Sequence, residues 1–110
     1  MASIAVKPSY ELSETEIRNQ MKDYLNARNI FFWCDNQTFD ARGKTQRRIK
    51  GVPDMFISYR KRMIANEIKK PGLDPSRFQY EWMMRFIKEG HIAVCTHSVD
   101  ELARALSEVR

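Results

Sequence analysis

A chain of 110 residues, 43% hydrophobic and 30% charged, is long enough for one hydrophobic core and too short for two, so a single domain over residues 1–110 is expected. No apolar run approaches the roughly 20 residues of a membrane span, and Met1 to Lys7 lacks an adequate signal-peptide core; the expectation is a soluble protein that stays in the cytoplasm where it is made. Lys and Arg number 19 against 14 Asp and Glu, a net charge of +5 that suits a polyanionic partner.

Residues 1–12 read as a loosely ordered lead-in. Ser13 has the features of a helix N-cap, with Glu16 completing a capping box. The helix is expected to run to about Arg28 and to bury Ile17, Met21, Tyr24 and Leu25. Glu14 falls in phase with Ile17 and Met21 and has no cap to explain it, which makes it the candidate site carboxylate of this helix. Ile30 to Asn36 reads as a strand apolar on both faces, with Ile30, Phe32 and Cys34 on one and Phe31 and Trp33 on the other. A helix can cover one face; another helix or a second copy of the protein must cover the other. Cys34 and Cys95, single and far apart in apolar runs, are expected to be reduced core thiols. Asn36 to Gly51 is a polar loop in which Arg42, Lys44, Arg47, Arg48 and Lys50 stand with no acid between Ala41 and Pro53. That concentration points to phosphate contact.

Val52 to Tyr59 and Met63 to Lys70 read as the arms of a hairpin, stopped by Pro71-Gly72. A turn centred between Arg60 and Lys61 places Asp54 opposite Glu67, with Cβ atoms ~5 Å apart. Two carboxylates that close repel by ~4 kcal/mol at an effective dielectric of about 20 unless a proton or cation sits between them. A hard divalent cation with oxygen ligands is the natural occupant. Lys69 shares the strand face of Glu67. Asp74-Pro75 is then expected to start a second helix as N-cap and first-turn proline, running to about Glu89 and closed by Gly90. Its buried stripe is Trp82, Met83 and Phe86, with Gln79 in phase. His91 to Thr96 reads as a buried strand and Val99 to Val109 as an amphipathic helix. His91 and His97 have no partner at metal or catalytic spacing and are expected to be structural, and Trp33 and Trp82 to serve core or interface. The order αβββαβα, with a parallel crossover from Met63 to Thr96, implies an α/β fold: one mixed sheet flanked by helices on both sides.

Glu14 in the first helix, Gly51-Val52-Pro53-Asp54, Glu67-Ile68-Lys69-Lys70-Pro71-Gly72 and Gln79-Tyr80-Glu81-Trp82 together resemble the VRR-NUC family of the PD-(D/E)xK nuclease superfamily. The resemblance runs from about Ser13 to Leu106. It implies a restriction-endonuclease-like fold and a Mg²⁺- or Mn²⁺-dependent endodeoxyribonuclease. Asp54 and Glu67 match the metal-binding pair, with the Ile68 backbone carbonyl as a third ligand and Glu14 as a further carboxylate, acting directly or through water. Lys69 matches the residue that orients the attacking water and offsets developing charge, and Gln79 the glutamine that supports the site or contacts a phosphate. Lys70 reads as a phosphate contact. Arg18 departs from the pattern, standing where similar members often carry glutamine. Compact stand-alone members that this chain resembles are homodimeric Holliday-junction resolvases, many phage-encoded, which implies branched DNA as partner and the host-cell cytoplasm as location. The alternatives are a restriction-like or flap- or nick-directed nuclease and a non-catalytic nucleic-acid-binding module on the same fold.

Overall fold

The computed structural model describes residues 11–34 and 51–110. Arg42, Lys44, Arg47, Arg48 and Lys50, and residues 1–10 of the lead-in, lie outside the described residues. Ser13 caps helix α1 (Glu14–Ala27): its hydroxyl accepts from the Glu16 N–H at 3.0 Å, and Glu16 Oε1 accepts from the Ser13 N–H at 3.3 Å. Leu12, counted above with the lead-in, is buried in the same core as Ile17, the arrangement of a hydrophobic residue before the cap and one in the first turn that fixes how the chain enters a helix. Ile17, Met21 and Leu25 are buried as expected. Tyr24 is only half-buried, with the Arg28 guanidinium 4.6 Å from its ring centroid.

Strands β1 (Phe31–Cys34), β2 (Met55–Tyr59) and β3 (Arg62–Ile68) pair antiparallel in sequence, and β4 (Ile92–Thr96) joins β3 in parallel, giving the sheet order β1-β2-β3-β4. The hairpin register is the expected one, with Met55 opposite Asn66 and Phe56 opposite Ala65. Arg60 and Lys61 adopt φ of 51° and 64°, the paired left-handed conformation whose twist matches that of the strands. Neither residue is the usual Asn or Gly. Arg60 is held there by its guanidinium, which donates to the Val109 carbonyl at 3.1 Å and lies 5.3 Å over the Tyr59 ring.

Helix α2 (Arg77–Lys88) starts two residues later than expected. Its N-cap is Ser76, not Asp74: the Ser76 hydroxyl accepts from the Gln79 N–H at 3.3 Å, and Gln79 Oε1 accepts from the Ser76 N–H at 2.8 Å. Ser76-x-x-Gln79 is the same signature that marked α1, and a reciprocal box satisfies two orphan donors where Asp-Pro would satisfy one. Of the stripe on α2, Met83 is buried and Trp82 and Phe86 are half-buried. Helix α3 (Val99–Ser107) follows a Ser98 N-cap and buries Leu102 and Leu106. β4 is less enclosed than expected: Thr96 is buried and Ile92 to Cys95 are half-buried, because β4 lies at the sheet edge.

Helices α1 and α3 supply Ile17, Met21, Leu25, Leu102 and Leu106 to the core on one face of the sheet, against Met55, Ile57, Ile64 and Ile68. α2 takes the opposite face, where Trp82 and Phe86 meet Phe56 edge-on at 5.8 and 6.2 Å. Asn66 is fully buried on the core side, satisfied by the Thr96 hydroxyl at 2.6 Å. Cys34 and Cys95 are free thiols, and burial pushes both upward in pKa, Cys95 to about 11, which fits inert reduced cysteines. Among the described residues, no helix is long and apolar enough to cross a membrane.

Candidate active site

Gly51 begins the site with a close approach. At φ +87° it lies so near the start of α2 that a Cβ there would sit 2.3 Å from the Phe78 carbonyl oxygen. The chain can therefore pass against the N-terminus of α2, bringing Gln79 over the end of β3. Pro53 is buried, and Asp54 follows it just outside β2. Continuing the hairpin register would set Asp54 opposite Glu67. The ladder stops at Met55, however, and Asp54 Oδ2 instead accepts from the Ile68 backbone N–H at 3.2 Å.

Strand alternation turns Asn66 and Ile68 toward α1 and α3 and leaves Glu67 and Lys69 on the α2 face. Glu67 is 1% exposed there, and Gln79 Nε2 donates to its Oε1 at 2.8 Å, with Lys69 Nζ at 3.8 Å from the same oxygen. Its other oxygen, Oε2, is buried and has no hydrogen-bond donor among the described residues. Burial, then the charge and hydrogen-bonding proximity of Asp54, push the Glu67 pKa up to about 8; Lys69 opposes the shift and Glu14 adds to it. Two carboxylates within reach share a bond only through a proton or a cation. The donor set is hard oxygen, and the orphaned buried oxygen is a place for a cation to bind, so the residues fit a divalent ion.

Arg18 is the residue that the sequence undervalued. Its Nη2 stands 3.7 Å from Glu14 Oε1 and 3.7 Å from Asp54 Oδ1, so it bridges the first helix to the carboxylate pair. The i, i+4 spacing of Glu14 and Arg18 was a visible signal for half of that contact. The other half joins residues distant in sequence. Among the described residues, no three His, Cys, Asp or Glu side chains gather closely enough to hold a metal by themselves. Asp54 and Glu67 form a pair, and Glu14 engages Arg18.

Lys70 is exposed beyond the site, where its carbonyl accepts from the Leu73 N–H at 3.1 Å. His91 stacks on Phe86, with centroids 4.5 Å apart. His97 finds partners that its sequence position did not reveal: Nδ1 lies 2.9 Å from Glu101 Oε2, and Nε2 lies 2.9 Å from the Leu73 carbonyl. Both partners are acceptors, so the ring, when protonated, donates to each and ties the loop before α2 to α3. Partial burial works against that charge, but the Leu73 carbonyl and Glu101 outweigh it and raise the pKa. The tie's contribution to stability is present below the unfolded value of ~6.5 and is lost as pH rises through the higher folded value. NMR titration should place the His97 midpoint above ~6.5, and a midpoint at or below that would remove the tie.

Solved structures share this fold. One, described as "VRR_NUC domain", superposes with a TM-score of 0.64 at 17% identity, covering 88% of this chain and 97% of that one. Another, "VRR_NUC domain protein", gives a TM-score of 0.57 at 20% identity, covering 88% of this chain and 87% of that one. No family model and no curated protein matches the chain. With the element order, the mixed sheet and the flanking helices all in agreement, the chain has the fold of VRR-NUC domains, a restriction-endonuclease-like α/β architecture.

Proposed function

We propose that the chain is a VRR-NUC-type nuclease that hydrolyses DNA phosphodiester bonds with a Mg²⁺ or Mn²⁺ ion held by Asp54, Glu67 and the Ile68 carbonyl. The observation that carries this reading is Glu67: buried, pressed against Asp54, and left with one oxygen that no donor among the described residues reaches. When bound, the ion would lower the pKa of a water and polarise the scissile phosphate. Gln79 holds the Glu67 carboxylate in orientation through Oε1, leaving Oε2 for the ion. The Ile68 N–H orients Asp54 in the same way. Lys69, close to Glu67 Oε1, hydrogen-bonds the attacking water and offsets charge developing on the phosphorane. Arg18 offsets the Asp54 and Glu14 charges. Glu14 adds a carboxylate at the rim, acting on the ion through water, while Lys70 and the basic run from Arg42 to Lys50 contact backbone phosphates.

The finer reading is a homodimeric endonuclease that cuts branched DNA, since a four-way junction needs two symmetry-related cuts. Incubation with synthetic four-way junctions and with linear duplex, in Mg²⁺ or Mn²⁺, tests it. Equal cleavage of both substrates would remove the junction preference. DNA binding without any cleavage or metal uptake would reassign the chain as a non-catalytic module. Gln79→Ala should cut cleavage by roughly 10- to 100-fold, the usual cost of losing an outer-shell partner. Ser76→Ala, which removes the cap alone, should lower stability by ~1 kcal/mol and leave cleavage nearly intact. Equal loss of activity in both variants would reduce Gln79 to a capping residue.

A further inference from the structure

The face of the sheet that carries Glu67 continues past the site into an exposed aromatic strip. Trp33 lies opposite Phe56, and Phe56 opposite Ala65, two residues before Glu67 on its own strand. Strand alternation therefore sets Trp33, Phe56 and Glu67 on one side. α2 covers the inner part of that side, with Trp82 and Phe86 against Phe56. Trp33 stacks on Phe56 with centroids 5.3 Å apart and planes 15° apart, yet remains 41% exposed. Phe31, 6.0 Å further out, is 68% exposed. At ~3.4 Å per residue, the strip runs from about 7 to about 14 Å along the strands from the Glu67 level, two strands or about 10 Å to the side. Cations stand at both ends: exposed Lys61 in the hairpin turn, and Lys69 at the carboxylates.

We propose that Trp33 and Phe31 form a stacking platform for unpaired bases, so that a branched DNA presents a single-stranded segment, an unpaired arm or an opened branch point, beside the carboxylate pair. The identity of the polyanion rests on the nuclease reading above. Cationic ends with aromatic rings between them match a strand whose phosphates are anionic and whose bases present flat π faces. A second copy of the chain fits less well. The exposed parts of these two rings amount to on the order of 250 Å², from side chains that bury about 150–250 Å² each when fully enclosed. A stable interface takes roughly 800 Å² from each partner.

The test is binding in EDTA, where cleavage cannot intervene, using a labelled oligothymidylate and a blunt hairpin duplex as probes. Oligothymidylate should quench tryptophan fluorescence in the wild type. Trp33→Ala should weaken its binding by roughly 5- to 100-fold, the range for losing one base stack, and Trp33→Phe should retain most of the affinity. Duplex affinity and sedimentation coefficient should stay unchanged in both variants. Phe31→Ala, at a site too exposed to threaten folding, should weaken oligothymidylate binding in the same direction. Undiminished oligothymidylate binding in Trp33→Ala and Phe31→Ala would overturn the platform. So would a parallel loss of duplex binding, or a shift in sedimentation showing that the strip joins two copies. A wild type that binds duplex but not oligothymidylate would sink this proposal alone, whereas one that binds neither would sink the nuclease reading with it.

Discussion

Glu67→Gln should abolish metal-dependent cleavage and, in EDTA at pH 8, raise the melting temperature. Glutamine keeps the shape of the side chain and can still accept from Gln79 at Oε1, but it removes the charge that needs a cation. Loss of a ligand should exceed the ~10- to 100-fold penalty of losing an outer-shell partner. The stabilisation follows from linkage. Glu67 in the folded chain binds its proton up to about pH 8, against a model value of 4.5 in the unfolded chain. Between those values the folded state holds more protons on Glu67 than the unfolded state, so the Glu67 contribution to wild-type stability falls as pH rises across the window and is constant outside it. At 1.36 kcal/mol per pH unit the loss is on the order of a few kcal/mol, and Glu67→Gln escapes it. On the proposed metal reading a divalent ion takes the place of the proton, so added Mg²⁺ or Mn²⁺ should raise the wild-type melting temperature more at pH 8 than at pH 6. Calorimetry with and without metal checks this; a wild type whose stability is level from pH 5 to 8 in EDTA would remove the buried-carboxylate account.

Gly51→Ala should be the most damaging small substitution in the site, lowering stability by roughly 2 kcal/mol or more and cleavage with it. Part of the effect is conformational, because an L-residue at φ +87° costs about 1–2 kcal/mol. The remainder is steric: the new Cβ would meet the Phe78 oxygen at 2.3 Å and its carbonyl carbon at 2.6 Å, backbone atoms that cannot rotate away. α2 must shift, and Gln79 at its first turn shifts with it. Gly72→Ala is the internal control, since it has the same φ of +87° with nothing within 4 Å of the added Cβ. Denaturant melts of both variants separate the two terms, and equal destabilisation would show that Gly51 is not wedged against the helix.

Both effects depend on local features that were unequally visible in the chain. The hairpin register was legible because a two-residue turn leaves one alignment that keeps Met55, Ile57 and Ile64 on the core side. The α1 cap was legible because its hydrogen bonds join residues three apart. The α2 cap was equally local, but Asp74-Pro75 offered a competing start two residues earlier. The structural role expected of His97 is filled by Glu101, one helical turn on and so open to a local reading, and by Leu73, which comes from a separate loop.

What the chain alone determined was the order αβββαβα, the pairing of the hairpin and the parity that sends Glu67 and Lys69 to one face and Asn66 and Ile68 to the other. These follow from period and turn chemistry, which act between near neighbours. Only the tertiary structure decided that Asp54 turns to the Ile68 N–H, that Arg18 spans Glu14 and Asp54, that Gly51 rests on Phe78, and that Trp33 stays open beside the site. Each of those contacts joins separate elements, and their spacing is set by how a helix packs on a sheet, a quantity no local pattern encodes.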